Sequence, residues 1–297
     1  MTPRPTRDTP AGRAYNDLRN LARRQGRDVA EYLTMYTLEG FLARLALSTQ
    51  AGDFVLKGGV LMAAFADRRP TRDIDLLASG FANEIAECEG RVRDIANIPF
   101  DDGLTFDRSS VKGEFIRDEA DYTGVRVHIS ATLASAQLGI HVDISFGDPI
   151  WPGPTETDLP RLLGGTVQLL GYPDHMVLAE KLVTAIQRGT ANTRWRDFVD
   201  VYAIAEGRPI AQRDLRKSLA TVALHRGASL RPLAQALAGM AEAAQPQWAA
   251  WRRRQRLDGT TPEKFQDLLD AVIRFADPAL GDEPTSRAWN PQRREWL

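Results

Sequence analysis

From Ala14 to Ser48 apolar side chains recur near every 3.6 residues, with Leu33, Tyr36, Leu38, Phe41, Leu42 and Leu45 on one face, so this stretch is expected to be helical. Residues 1–13, rich in Pro, Thr and Arg, are expected to form a flexible N-terminus. The period then shortens. Residues 53–57 and 73–77 read as strands around a glycine turn, and 81–95 as a helix. LTFDRSS, VKGEFIRD, VRVHISATL and GIHVDISFG are short alternating segments in succession, the pattern of antiparallel additions to a sheet. WPGPTETDLP breaks the chain with Pro and Gly, and VQLLGY is one more strand. Beyond it the pattern is helical throughout. PDHMVLAEKLVTAIQRG has Asp174 placed as N-cap and Gly189 as stop, and TRWRDFVDVYAIAEG closes on a glycine. Three further helices are expected over 210–277, ahead of a polar tail ending in EWL, and no solenoid repeat is present. These elements predict an α/β domain with a mixed sheet over residues 14–172 and a helical lobe over 173–297.

With 297 residues and 43% hydrophobic side chains, the chain can bury a core in two lobes. No apolar run is long enough to span a bilayer, MTPRPTRDTPAGR has no apolar signal region, and Cys88 is the only cysteine. The expectation is a cytoplasmic protein with no disulfide, no cysteine-rich zinc site and no membrane partner. A formal charge of −1 hides an uneven distribution: carboxylates cluster around residues 67–148, while RPTR, RDLRK, WRRRQR and PQRREW are basic islands.

The segment FVLKGGVLMAAFADRRPTRDIDLL, residues 54–77, has the grammar of a phosphate-handling site. An apolar strand ends at Lys57 in a Gly58–Gly59 turn, and a second strand carries Asp73 and Asp75 on one face, since side chains two apart on a strand point the same way. Two carboxylates so placed suit magnesium, which takes oxygen donors and leaves positions for substrate phosphates. The glycines let backbone approach triphosphate oxygens, at a helix start that favours anions. Asp143, in the apolar strand GIHVDISFG, is either a third ligand from a neighbouring strand or an aspartate facing water. Lys181, in LAEKLVTAI, is either a point charge for the triphosphate or an edge lysine with a buried stem. Asp197 and Asp200 share a helix face, one to bind an arginine and the other to face a cleft, and Arg188, Arg194 and Arg196 read equally well as surface charges.

His128, His141 and His175 have no ligand spacing and read as satisfied structural histidines. Neither G-x-S-x-G nor a Walker-type glycine loop is present. QWAAWRRRQR could hold a nucleic-acid backbone with Trp stacked on a base, but reads more simply as an amphipathic helix with Trp248 and Trp251 inward.

Taken together, KGG at 57–59, TRDID at 71–75, VDIS at 142–145, AEKL at 179–182 and RDFVD at 196–200 resemble the AbiEii-type nucleotidyltransferase toxins of type IV toxin–antitoxin systems, the MenT toxins among them. The likeness covers residues 30–205, and the C-terminal third adds only general helical character. Many members of the family have Ser where Gly59 stands. The resemblance implies an α/β nucleotidyltransferase core with an N-terminal helix and a helical lobe that contributes Lys181 and Asp200. It also implies that Asp73 and Asp75 are the metal ligands, Gly58 and Gly59 the triphosphate turn and Lys181 the nucleotide-phosphate contact. Mg2+ with Asp143 as third ligand, and Lys57 on the nucleotide, are the expectation from the residues themselves. Asp200 would be the acid of the last motif. The implied activity is transfer of nucleotides, pyrimidines in the MenT group, from a nucleoside triphosphate to the tRNA acceptor end, with a cognate antitoxin as partner. Thr71 matches a position that some antitoxins phosphorylate. A small-molecule acceptor such as an antibiotic, or a non-catalytic binding role, are the alternatives.

Overall fold

The computed structural model describes residues 5–66, 70–117, 123–281 and 286–297. The chain divides into two compact units. The first takes in residues 1–64, 68–148 and 154–172, and the second residues 65–67, 149–153 and 173–297.

The first unit is α/β. It starts with two helices, α1 (Pro10–Arg24) and α2 (Val29–Leu47), rather than one continuous helical stretch. Gly26, in a left-handed conformation, and the Asp28 side chain, which accepts from the Ala30 N–H, separate them. Helix α1 begins four residues inside the segment expected to be flexible. Thr9 caps it, and Asn16 ties back to the Pro5 carbonyl at 2.9 Å. The strands are β1 (Phe54–Lys57), β2 (Asp73–Ala78), β3 (Leu104–Arg117), β4 (Thr123–Leu133), β5 (Ala136–Phe146), β6 (Thr155–Pro160) and β7 (Thr166–Gly171). They form one sheet in the order β3-β4-β5-β2-β1-β7-β6. The β2–β5 and β1–β7 pairs are parallel and the others antiparallel, so the sheet is mixed.

Two sequence expectations change here. LTFDRSS and VKGEFIRD are a single strand, β3, whose pairing with β4 shifts register between Asp107 and Lys112. The Pro- and Gly-rich break ends in an edge strand, β6, which the alternation of TETDLP would have permitted. Helix α4 (Ile85–Ala96) starts four residues later than its apolar pattern suggested, because Phe81 packs as a loop residue between Phe54 and Phe146.

Strands β3–β5 are buried on one face only. Val125, Val127, Ile129, Ile140, Val142 and Ile144 are buried, with α2 reaching that face through Phe41 against Phe106 and α4 through Ile85 beside Gly113. A buried ion pair anchors α2: Arg44 donates to both carboxylate oxygens of Asp102 at 2.7 and 3.0 Å, and also to the Gly40 carbonyl.

The second unit is helical: α5 (Asp174–Arg188), α6 (Trp195–Gly207), α7 (Gln212–His225), the single turn α8 (Leu233–Ala236), α9 (Met240–Gln255) and α10 (Phe265–Leu280). The region after residue 210 thus holds one more helix than its periodicity suggested. Asp174 does not cap α5. Pro173 holds the N-cap position, and the Asp174 carboxylate accepts instead from Arg208 at 2.8 Å and from the His175 N–H. Phe198, Phe265 and Trp248 form an aromatic core, with Trp251 stacked on Trp248. Trp248 and Trp251 are buried, so this stretch of α9 is amphipathic and offers no tryptophan face to a base. The polar tail is ordered as a hairpin of β8 (Trp289–Asn290) and β9 (Glu295–Trp296), because Trp289 and Trp296 both pack on Phe275.

Candidate active site

The sheet register assembles the site. Lys57 pairs with Asp75, Asp75 with Asp143, Asp143 with Arg126, and Arg126 with Glu114. Directly opposed residues lie on the same sheet face, so five charged side chains form one row across β1, β2, β5, β4 and β3. Two residues along β2, Asp73 pairs with His141, which pairs with His128, which pairs with Lys112. Asp73 and Asp75 therefore stand next to one another on the face that carries both rows.

Gly58 is needed because of Asp75. It has φ +67, and a Cβ there would fall 1.9 Å from an Asp75 carboxylate oxygen. Any side chain would be strained by the backbone and would strike the carboxylate. The Gly59 N–H points to the same oxygen at 3.4 Å. The glycine pair thus opens onto an acid as well as onto whatever that acid holds. The helix after it, α3 (Gly58–Leu61), is a single turn continued by three 3-10 residues.

Electrostatics fit a cation between Asp73 and Asp75. Burial, then the Asp73 charge, pushes the Asp75 carboxyl from an ordinary 3.8 up to about 6; Asp143 adds to this, while Lys57 and the Gly59 N–H oppose it. A carboxyl raised by burial and by a neighbouring acid, with Lys57 offsetting only part of this, gains from a further positive charge, and a divalent ion with oxygen ligands supplies one. Asp73 is further oriented by Thr71, whose hydroxyl donates to its Oδ1 at 2.8 Å. Thr71 is buried, and its hydroxyl serves a carboxylate rather than the loop backbone.

Asp143 departs from the expectation of a third open ligand. Arg126 donates to both its oxygens, Nε to Oδ1 at 2.7 Å and Nη2 to Oδ2 at 2.6 Å. This bidentate pair raises the guanidinium's own pKa further. The three acids are therefore not all uncompensated, and among the described residues no three acids or imidazoles converge on one point. The donor pair open to a metal is Asp73 with Asp75.

Asp148 is the site residue that sequence reasoning missed. Its carboxylate accepts from Lys57 at 2.5 Å and from the Ser145 hydroxyl at 2.7 Å, so it holds the lysine beside Asp75. The available signal was Gly147, which turns the chain at the end of β5 with φ +76 and leaves an acid just beyond the strand.

Lys181, Asp197 and Asp200 belong to the helical unit. The Lys181 ammonium donates to Asp197 at 3.1 Å and Asp200 at 2.7 Å, with all three side chains at most 10% exposed. Arg194 pairs with the other oxygen of Asp197 at 2.6 Å. The Asp197–Asp200 face thus grips a lysine as well as an arginine, and Lys181 is more than an edge lysine. His175 is satisfied by the Ser218 hydroxyl at 2.7 Å. His141 is not satisfied: its Nδ1 is buried and has no hydrogen-bond partner among the described residues.

No described helix is long and apolar enough to cross a membrane. Of the acidic cluster, Asp67, Asp118, Glu119 and Asp121 lie outside the described residues.

Residues 40–271 match the protein family described as "Nucleotidyl transferase AbiEii toxin, Type IV TA system". No curated protein matches the chain. Among solved structures, JHP933 from Helicobacter pylori is similar with TM-score 0.48 and 14% identity, over 84% of this chain and 93% of that one. A second H. pylori structure, described provisionally as a nucleotidyltransferase, has TM-score 0.47 and 16% identity, over 82% and 92% of the two chains.

Proposed function

Because the chain belongs to the AbiEii family of nucleotidyl transferase toxins of type IV toxin–antitoxin systems, we propose that it transfers nucleotides, pyrimidines foremost, from a nucleoside triphosphate to the 3′ acceptor end of tRNA, and so blocks translation. The observation that carries the reading is the charged row with Asp73 and Asp75 adjacent, backed by the Gly58–Gly59 turn and by Lys57. Asp73 and Asp75 would hold Mg2+, which would neutralise triphosphate charge and orient its oxygens. Lys57, kept beside Asp75 by Asp148, provides a positive charge for phosphate oxygens.

In the reaction the 3′-hydroxyl oxygen bonds to the α-phosphorus and gives up its proton to solvent, the bond from that phosphorus to the β-phosphate bridge breaks, and pyrophosphate leaves. Asp143, fixed through both oxygens by Arg126, is suited to positioning the hydroxyl. Lys181 is assigned to the nucleotide phosphates, its ammonium held ready by Asp197 and by Asp200, the acid of the last motif. Charge distribution supports a polyanionic acceptor: residues 173–297 carry 19 Lys and Arg against 15 Asp and Glu, while residues 1–172 carry 19 against 24.

A cognate antitoxin completes the system, and Thr71 is the position at which phosphorylation would silence it. The test is incubation of the protein with each labelled nucleoside triphosphate and total tRNA, periodate-oxidised tRNA lacking the 3′-hydroxyl, or candidate small-molecule alcohols. Label on intact tRNA alone, lost in Asp75→Ala, is the expected result. Label on a small molecule instead would refute the acceptor.

A further inference from the structure

The open face of β3–β5 continues the catalytic rows away from the metal ligands, and the residues on it are not those of a bare solvent face. His141 and His128 are cross-strand partners with ring centroids 5.2 Å apart, next in line after Asp73. Their neighbours on the opposite face, Val127, Ile129, Ile140 and Val142, are buried in the core, so the imidazoles point to the side where the Asp73–Asp75 carboxylates stand. Strands lie about 4.8 Å apart, which puts the pair within the reach of one nucleotide from Asp73. Gly139 gives the pair room: a Cβ there would lie 2.9 Å from His128 Nε2, so the ring leans over the bare backbone of β5. Lys112, exposed, ends this row, with Glu114 next to it in the other, and the half-exposed Arg126, held by Asp143, stands beside His128.

One polar atom on this face is unexplained by the fold. His141 Nδ1 is buried and finds no partner among the described residues, and an unsatisfied buried group is costly unless something outside the fold satisfies it. Paired rings, flanking cations and an unspent hydrogen-bonding atom suit a nucleotide whose base stacks while its sugar or base edge reaches His141. Unpaired nucleic-acid ends are recognised in this way, on aromatic or imidazole faces with basic side chains along the backbone.

We propose that the His128–His141 pair is the stacking platform for the unpaired 3′-terminal nucleotide of the RNA acceptor, with Lys112 on the adjoining phosphate. The terminal hydroxyl is thereby directed back toward Asp73 and Asp75. This rests on the nucleic-acid acceptor proposed above. It adds which residues hold the acceptor, and it predicts that an unpaired end is required. It also separates the acceptor from the incoming nucleotide, which lies at Lys57 and the Gly58–Gly59 turn.

The test uses the full chain in EDTA and a labelled RNA hairpin carrying a four-nucleotide 3′ overhang, with a blunt hairpin as comparison, read by fluorescence anisotropy. Stacking is worth about 1–3 kcal/mol per base, so the doubly substituted His128→Ala, His141→Ala protein should bind the overhang roughly 5- to 150-fold more weakly. The corresponding double Phe variant, which keeps rings but no ring nitrogens, should regain most of that loss. Neither variant should change binding of a nucleoside triphosphate, measured separately with Mg2+ in place of EDTA, which also serves as the check that the site is folded. Parent and double-Ala proteins that bind the overhang equally would overturn the platform and leave the acceptor reading standing. A parent protein that binds the overhang no better than the blunt hairpin would also overturn it. A parent that binds the triphosphate but no RNA at all would overturn both.

Discussion

Asp75→Asn should make the metal-free protein more stable at neutral and alkaline pH, although it removes a central residue of the site. The Asp75 carboxyl is raised from 3.8 to about 6, first by burial and then by Asp73. For a group raised in the folded state, its contribution is fully present below the unfolded pKa and is lost as pH rises through the folded one. Above pH 6 the folded protein therefore carries a penalty that is absent at pH 3.8. At 1.36 kcal/mol per pH unit the ceiling is about 3 kcal/mol. The cleft is partly open to water and ions, so about 1–2 kcal/mol is the expected gain. Asn keeps an oxygen for the Gly59 N–H, and Lys57 keeps Asp148, so the substitution leaves no new buried charge. For a chain of this length the gain corresponds to a rise in Tm of roughly 1.5–3 °C.

The assay must watch the sheet. All six tryptophans lie at position 151 or later, in the helical unit, so tryptophan fluorescence would follow the wrong part. Calorimetry in EDTA at pH 8 and pH 4.5 is the suitable measurement, followed by addition of Mg2+ at pH 8. The variant should melt higher at pH 8, the gap should shrink by pH 4.5, and Mg2+ should raise the parent but not the variant. A variant no more stable than the parent at pH 8, or a gap that does not depend on pH, would refute the repulsion on which the metal assignment rests.

Four further outcomes are expected. Gly58→Ala should abolish nucleotide transfer, because the new Cβ meets Asp75 at 1.9 Å on a backbone with φ +67; retained activity would show that the turn does not abut the acid as described. Asp102→Ala should destabilise the sheet unit by about 3–5 kcal/mol, since it strands the buried Arg44 guanidinium; chemical denaturation followed by circular dichroism measures it. Lys181→Arg should keep part of the activity and Lys181→Ala none, with the Ala variant also less stable because Asp197 and Asp200 lose their shared cation; an active Ala variant would end the phosphate-contact assignment. Thr71→Glu should be inactive and non-toxic in cells, because it sets a carboxylate against Asp73 where the hydroxyl now donates at 2.8 Å, while Thr71→Val keeps partial activity; a toxic Glu variant would remove the regulatory role.

The parts of the site that sequence exposed are those whose logic is local. Asp73 and Asp75 share a face because they are two apart on one strand, and that needs no tertiary information. Gly58 before a strand pair could be recognised as a turn, but its reason could not, because the atom it avoids sits on a carboxylate 17 residues later. Lys57, Asp143 and Arg126 become neighbours of Asp75 only through register across three strand pairs. Single-strand periodicity says which face each occupies and nothing about which residue it opposes. Asp143 was therefore legible as an acid in an apolar strand, a third ligand or an aspartate facing water, but not as the partner of Arg126, which lies on β4 within VRVHISATL.

The same limit explains the histidines. Judged by spacing along the chain, His128 and His141 are unrelated, and a satisfied structural role is the economical reading. Antiparallel pairing of β4 with β5 makes them direct neighbours, and parallel pairing of β5 with β2 sets them beside Asp73. Neither relation follows from the composition of its own segment, because a shift of one residue in register would move the imidazoles into the core and Val142 onto the open face. The buried valines and isoleucines that alternate with the histidines are what forbid that shift. The apolar pattern, which carries no chemistry itself, thus fixes which polar residues meet at the site.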